Sequence, residues 1–220
     1  EALAIGTQVE IYEITVVNEK QWARIAQGWV LMEYLTLDGS TGEVASGICG
    51  DDLFWSFDSD TGVLTVSGTG PMTDYGELND VPWREFASAI TRIVVEPGAT
   101  TVGDRAFCGY DSLTAVSLPD SITAIGYAGI SECRNLTDLT LPEGLVSIGA
   151  MAFYANDSLT ALALPASVRT IGARAFSNCD KLQRMEIPEG VTEIGEHTFS
   201  WCESLTEVIL PSPPSPTMLS

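Results

Sequence analysis

The chain is expected to form a mainly β solenoid, on three observations. The sequence matches itself at a period of 23 residues; every copy carries short alternating apolar runs; and a Pro and a Gly return at fixed offsets inside it. Five full copies begin at Ile90, Leu113, Leu136, Leu159 and Leu182, and a sixth begins at Leu205 and breaks down. Written out, the unit is L-T-x-V-x-L-P-x-x-I-x-x-I-G-x-x-A-F-x-x-C-x-x.

Each copy opens on apolar residues at its first, fourth and sixth positions, as in Leu113, Val116 and Leu118 or Leu159, Leu162 and Leu164. The fourth-to-sixth alternation is that of a short strand. It ends where Pro119, Pro142, Pro165 and Pro188 lack the N–H that would extend a ladder. A second extended piece follows, with apolar residues three apart (Ile122/Ile125, Leu145/Ile148, Val168/Ile171, Val191/Ile194). Gly103, Gly126, Gly149, Gly172 and Gly195 close it, which calls either for a positive φ or for a backbone contact too close for a Cβ. The Ala-Phe pairs Ala106/Phe107, Ala152/Phe153 and Ala175/Phe176 then supply a small residue and a ring for the space beneath the strands. One copy alone cannot bury enough apolar surface to offset the entropy of ordering it, so the copies must stack.

These residues resemble the BspA-type leucine-rich repeats of surface and secreted proteins of host-associated bacteria. The resemblance covers residues 90 to 210. It implies a leucine-rich repeat solenoid, secretion or surface display, and interaction with a protein or glycan on a host or neighbouring cell. The stretch GICGDDLFWSFDSDTGVLTVSGTGPMTDY with VPWREFASAI resembles the N-terminal cap common in that group. The better-known leucine-rich consensus has an Asn that forms an internal ladder; here the ninth position holds Gly98, Ser121, Gly144, Ser167 and Gly190 instead. Residues 6 to 37 resemble the C-terminal portion of a bacterial Src-homology-type cell-wall barrel, with G-T-x-V-x-I-Y, W-A-R-I and G-W-V motifs and Trp22 and Trp29 as its aromatics. The first strands of such a barrel are missing, which exposes an edge.

The domain reading is therefore a partial barrel segment over 1–37, a linker and acidic β-hairpin cap over 38–89, the solenoid over 90–211 and a Pro-rich tail over 212–220. The acid is uneven. The first segment carries 5 acids and 2 bases, the second 10 and 1, and residues 90–220 carry 15 and 7, for a formal charge of -20. That sign is wrong for neutralising nucleic-acid phosphates or an anionic lipid surface. No apolar run approaches the ~18 residues of a membrane span, so no membrane insertion is expected. The chain opens on Glu1 with no basic-then-apolar leader, so any export signal lies outside it. The incomplete barrel and the uncapped last copy are candidates for self-association.

Catalysis finds little to work with. His197 is the only histidine and falls in the step between Gly195 and Phe199, where a plain surface residue is expected. Of five cysteines, Cys133, Cys179 and Cys202 share the twenty-first position, which Asn156 fills in the third copy, so they recur by repeat and read as small buried thiols. No C-x-x-C spacing suggests zinc. Two pairings are open, Cys179 with Cys202 and Cys49 with Cys108, and neither is assigned. The DSDTG segment around Asp58 and Asp60 reads as a hairpin turn in preference to a calcium loop, whose Gly falls one residue later. No catalytic residue, cofactor or metal is assigned.

What remains is the outward side of the first strand, at positions two, three and five. Its candidate partner-binding residues are Thr91, Arg92, Thr114, Ser117, Asp138, Thr140, Thr160, Gln183, Arg184, Glu186 and Glu207. At about 4.8 Å per strand, six copies span roughly 24 Å, wide enough to meet a partner. The function expected is a non-catalytic extracellular protein-interaction or adhesion module. The alternative is a wall-associated targeting or spacer module of a larger wall-acting enzyme.

Overall fold

The computed structural model describes residues 44–211, together with the backbone of three strands nearer the N-terminus. Those strands, β1 (Glu13–Val17), β2 (Lys20–Ile25) and β3 (Gly28–Leu31), form an antiparallel sheet with β2 in the centre. The rest of segment 1–37, and the Pro-rich tail, lie outside the described residues, and the barrel reading rests on its sequence resemblance.

From Val44 onward the chain enters an antiparallel unit of β4 (Val44–Ile48), β5 (Asp52–Asp58) and β6 (Val63–Pro71). The DSDTG segment is its hairpin turn. Asp58 Oδ1 accepts from the N–H groups of Asp60 at 2.9 Å and Thr61 at 3.3 Å, and Gly62 takes the positive φ of 69° that the turn needs. β6 then serves two parallel ladders at once. Its first half pairs with β7 (Arg92–Val95), and its last residues pair with β8 (Ala99–Val102).

Successive repeats add rungs to these ladders, and the first ladder breaks between the third and fourth copies. The first ladder runs β6, β7, β9 (Ala115–Ser117) and β11 (Asp138–Leu139), and the same repeat positions pair again at an Ala161–Arg184 bridge and in β14 (Arg184–Glu186) with β16 (Glu207–Ile209). The second runs β6, β8, β10 (Ala124–Ile125), β12 (Ser147–Ile148), β13 (Thr170–Ile171) and β15 (Glu193–Ile194). Register is kept by the repeat: Ala124 pairs with Thr101 on one side and Ser147 on the other.

A third ladder runs along the turns and has no regular strand. In every full copy the sixteenth and twentieth residues are left-handed: Arg105, Ala128, Met151, Arg174 and His197 have φ of 51–60°, and Gly109, Glu132, Ala155, Asn178 and Trp201 have φ of 54–76°. That alternation aims the N–H groups of positions 16, 18 and 20 at the carbonyls of positions 15, 17 and 19 in the next coil. Arg105 donates to Tyr127, Phe107 to Gly129 and Gly109 to Ser131, and the series repeats through Asn178 to Ser200 at 2.6–3.0 Å. The strain of left-handed non-glycine residues, ~1–2 kcal/mol each, is offset by bonds that would otherwise leave turn groups unpaired.

The closing glycines resolve to close approach. None of Gly103, Gly126, Gly149, Gly172 and Gly195 has a positive φ. A Cβ on Gly149 would come within 2.7 Å of the Gly126 backbone, and one on Gly172 or Gly195 would overlap the backbone of Ala150 or Ala173 in the coil before.

The core lies between the three ladders. Phe107, Phe153 and Phe176 are buried and form a column with Ile130, which takes the same position in the second copy. Phe153 and Phe176 stack at 5.3 Å and 9°, and Phe176 and Phe199 at 5.8 Å and 7°. At the N-terminal end Trp83 continues the column, 6.0 Å from Phe107. There it also closes the turn ladder. The first coil's carbonyls at Asp104, Ala106 and Cys108 accept from Tyr75 N–H at 3.1 Å, Trp83 Nε1 at 3.2 Å and Arg84 Nη1 at 2.7 Å, in place of a preceding coil. At the other end, no carbonyl among the described residues meets the N–H groups of His197, Phe199 and Trp201. Ile194, Val208 and Leu210 are exposed there. Among the described residues no helix is long and apolar enough to cross a membrane.

Candidate functional site

All eleven sequence-predicted face residues are exposed. They are not equivalent. The hydroxyls of Thr91 and Thr114 at position two donate to the carbonyls of Gly62 at 3.3 Å and Thr91 at 3.1 Å, so these threonines also tie one coil to the one before. The side chains free of that duty stand at positions three and five of the first ladder. Between copies one and three they edge a groove of about 350 Å³, with Arg92 on one flank and Ser117, Asp138 and Thr140 along it. Asp120 and Glu143 add two further carboxylates. Toward the last coil Arg184 sits between two carboxylates, its Nε 3.2 Å from Glu207 and its Nη2 3.9 Å from Glu186. At that exposure such pairs contribute less than ~1 kcal/mol. Their value to the site is a fixed arrangement of charge.

Sequence reasoning missed a second concave feature on the turn side. A groove of about 230 Å³ runs across copies three to five, lined by Tyr154, Arg174, Asn178, His197, Ser200 and Trp201, with Ser177 beneath. His197 is exposed as expected, but it belongs to this groove. Ser200 Oγ lies 3.4 Å from His197 Nδ1, longer than the ~2.6–3.2 Å of a nucleophile and its base. The available signal was the residue type at position 20, where Trp201 stands in a slot filled by Gly109, Glu132, Ala155 and Asn178 in the other copies.

The cysteines are structural. All five are free, so neither Cys179–Cys202 nor Cys49–Cys108 forms a disulfide. Cys133, Cys179 and Cys202 each donate the thiol to the position-18 carbonyl of the preceding coil, at Phe107, Phe153 and Phe176, over 3.0–3.2 Å. The N–H of position 21 in that coil points at the sulfur. Asn156 does the same work with an amide. Its Nδ2 donates to Ile130 at 2.8 Å, and its Oδ1 accepts from Cys133 N–H at 2.9 Å. The internal ladder that the ninth position lacks is therefore present at the twenty-first.

Two expectations follow. Asn156→Ala orphans a buried N–H and a buried carbonyl and should cost about 3 kcal/mol, whereas Asn156→Cys installs the residue of the other copies and should cost under about 1; urea denaturation separates them. Burial also pushes the Cys49, Cys133 and Cys179 thiols up to about 12. A raised thiol pKa leaves stability intact below the unfolded value near 9 and removes it as pH climbs toward the folded value. The three thiols should each cost about 1 kcal/mol of stability by pH 9.5. Melting from pH 7 to 10 checks the slope, and a flat profile would contradict it.

Among the described residues no group of three or more His, Cys, Asp or Glu side chains could hold a metal ion. Residues 86–215 match six copies of the BspA type leucine rich repeat region, more than half the chain. Of solved structures, a leucine-rich repeat protein from Eubacterium ventriosum is similar at TM-score 0.70 and 27% identity, over 78% of this chain and 45% of that one. A leucine rich repeat protein of T. pallidum is similar at TM-score 0.54 and 28% identity, over 70% of this chain and 66% of that one. A leucine rich cell surface protein of Faecalibacterium prausnitzii, at TM-score 0.51 and 21% identity, covers 81% of this chain and 58% of its own, and shares the fold. The chain thus spans about half to two thirds of the length of these structures. No curated protein matches it.

Proposed function

The chain belongs to the BspA-type leucine-rich repeat family, and from that premise we propose that its solenoid is a non-catalytic protein-interaction module, secreted or displayed at a cell surface. The observation that carries the reading is the exposed first ladder, where Arg92, Asp138, Arg184, Glu186 and Glu207 stand in fixed order along one side. An exposed strip of charge along stacked coils is suited to a folded protein partner. The groove of about 350 Å³ gives a protruding side chain a seat. The surface setting is supported by the Faecalibacterium prausnitzii relative, itself described as a cell surface protein. A formal charge of -20 makes a basic partner surface the better fit and speeds the encounter at low salt.

The test is biolayer interferometry against purified extracellular-matrix and bacterial surface proteins. A basic partner should bind, bind less tightly as salt is raised, and lose at least about tenfold in affinity, ~1.4 kcal/mol, to the double variant Asp138→Lys/Glu186→Lys. Both positions are exposed, so melting should stay within about 0.5 kcal/mol of wild type. Equal binding by the variant, or no binding across the panel, overturns the reading.

A further inference from the structure

Trp201 is the most exposed large apolar side chain among the described residues, at 78%. It also sits at a position whose backbone is left-handed, with φ of 62°. Folding does not ask for tryptophan there. The first copy fills the slot with Gly109, the residue best suited to that conformation. A large aromatic placed in water, on a strained backbone, breaks two local rules with no packing return, which is the pattern of a residue kept for binding.

Its surroundings narrow the ligand. Coil stacking sets Asn178 one rung before Trp201, and places Arg174 beside His197 along position 16 and Ser177 beside Ser200 along position 19, with Tyr154 at the far end. In a chain with 30 acidic residues, no acid lines this groove, and no carboxylate among the described residues pairs with Arg174. Arg174 offers donors only, while Asn178, Ser200 and His197 can both donate and accept. One flat apolar surface is therefore rimmed by directional polar groups. A protein hot spot instead wants its aromatic anchor ringed by contacts that exclude water. A pyranose ring, with an apolar C–H face and hydroxyls around its edge, matches what is present. The volume of about 230 Å³ lies below the ~300–1,000 Å³ of pockets that enclose drug-sized ligands and suits a saccharide resting on the surface.

We propose that this turn-side groove binds a saccharide, one pyranose ring stacking on Trp201 while its hydroxyls exchange hydrogen bonds with Arg174, Asn178 and Ser200. The site is separate from the first-ladder face and stands or falls without it. A binder carrying both would hold a protein with one side and a glycan with the other.

The test titrates the whole chain with maltotriose, chitotriose, lactose and 3′-sialyllactose, reading tryptophan fluorescence and calorimetry. At least one should bind saturably at about 1 mM or tighter. Trp201→Gly, which installs the residue of the first copy and relieves the left-handed strain, should weaken that binding at least about tenfold without lowering melting. Arg174→Ala should weaken it as well, and Asp138→Lys/Glu186→Lys should leave it intact. No saturable binding by any of the four sugars overturns the proposal, and so does undiminished binding by Trp201→Gly. Loss of a protein partner, but of no sugar, in Trp201→Gly would make the groove a protein site and overturn it equally.

Discussion

Replacing Trp83 with alanine is expected to lower the unfolding free energy by about 5 kcal/mol, the largest effect of any single substitution considered. Its side chain is fully buried, with ring centroids 5.8 Å from Trp55, 6.0 Å from Tyr75 and 6.0 Å from Phe107. Truncating a ring so placed leaves a cavity, worth ~3–5 kcal/mol. The indole N–H meanwhile serves the carbonyl of Ala106, which no backbone group replaces. Leaving that buried acceptor with only the Tyr110 hydroxyl, at a long 3.5 Å, adds ~1 kcal/mol or more. Trp83→Phe separates the two, keeping most of the ring while removing the donor, and should cost about 2 kcal/mol. Guanidinium denaturation measures both. A loss under about 2 kcal/mol for the alanine variant would mean that the solenoid does not depend on this residue for its first coil.

Phe176→Ala is expected to cost about 4 kcal/mol. This ring is held between Phe153 and Phe199 in near-parallel stacks, so its removal breaks two contacts within the shared column. Phe199 is only partly buried and has one stacked neighbour, so Phe199→Ala should cost roughly half as much. Because each coil is stabilised by the next, amide exchange should accelerate in the coils on both sides of Phe176, but on one side only for Phe199. Equal costs for the two variants would contradict a column that strengthens inward.

The repeat and its inward face were readable because they are written in residue types with strong physical preferences. Pro119 and its equivalents stop a strand, and Phe107, Phe153 and Phe176 have nowhere to go but a core. Positions three and five are readable as outward because a strand alternates, although Ala115, at position three of the second copy, is buried. The turn ladder was hidden. Its left-handed positions hold Arg105, Ala128 and Met151, residues without that preference, and the conformation is imposed by hydrogen bonds to a coil 23 residues away. The glycines left two alternatives open, and only the neighbouring coil's backbone decides between them. The equivalence of Cys133, Cys179 and Cys202 with Asn156 was visible as a shared slot. Its purpose was not, because a thiol and an amide look alike only once the carbonyl and N–H they both serve are in place. The groove around Trp201 is assembled from three copies at offsets that no single hydrophobic pattern connects.

The turn ladder also has a direction. Each of the first four full coils hands its N–H groups forward to the carbonyls of its successor, and only the first needs Tyr75, Trp83 and Arg84 to answer for a missing predecessor. A protein wired this way can be lengthened or shortened by whole units of the repeat while its starting end stays chemically the same. Gene duplication within such an array would then move a binding surface outward in steps of about 4.8 Å, without inventing a new junction each time.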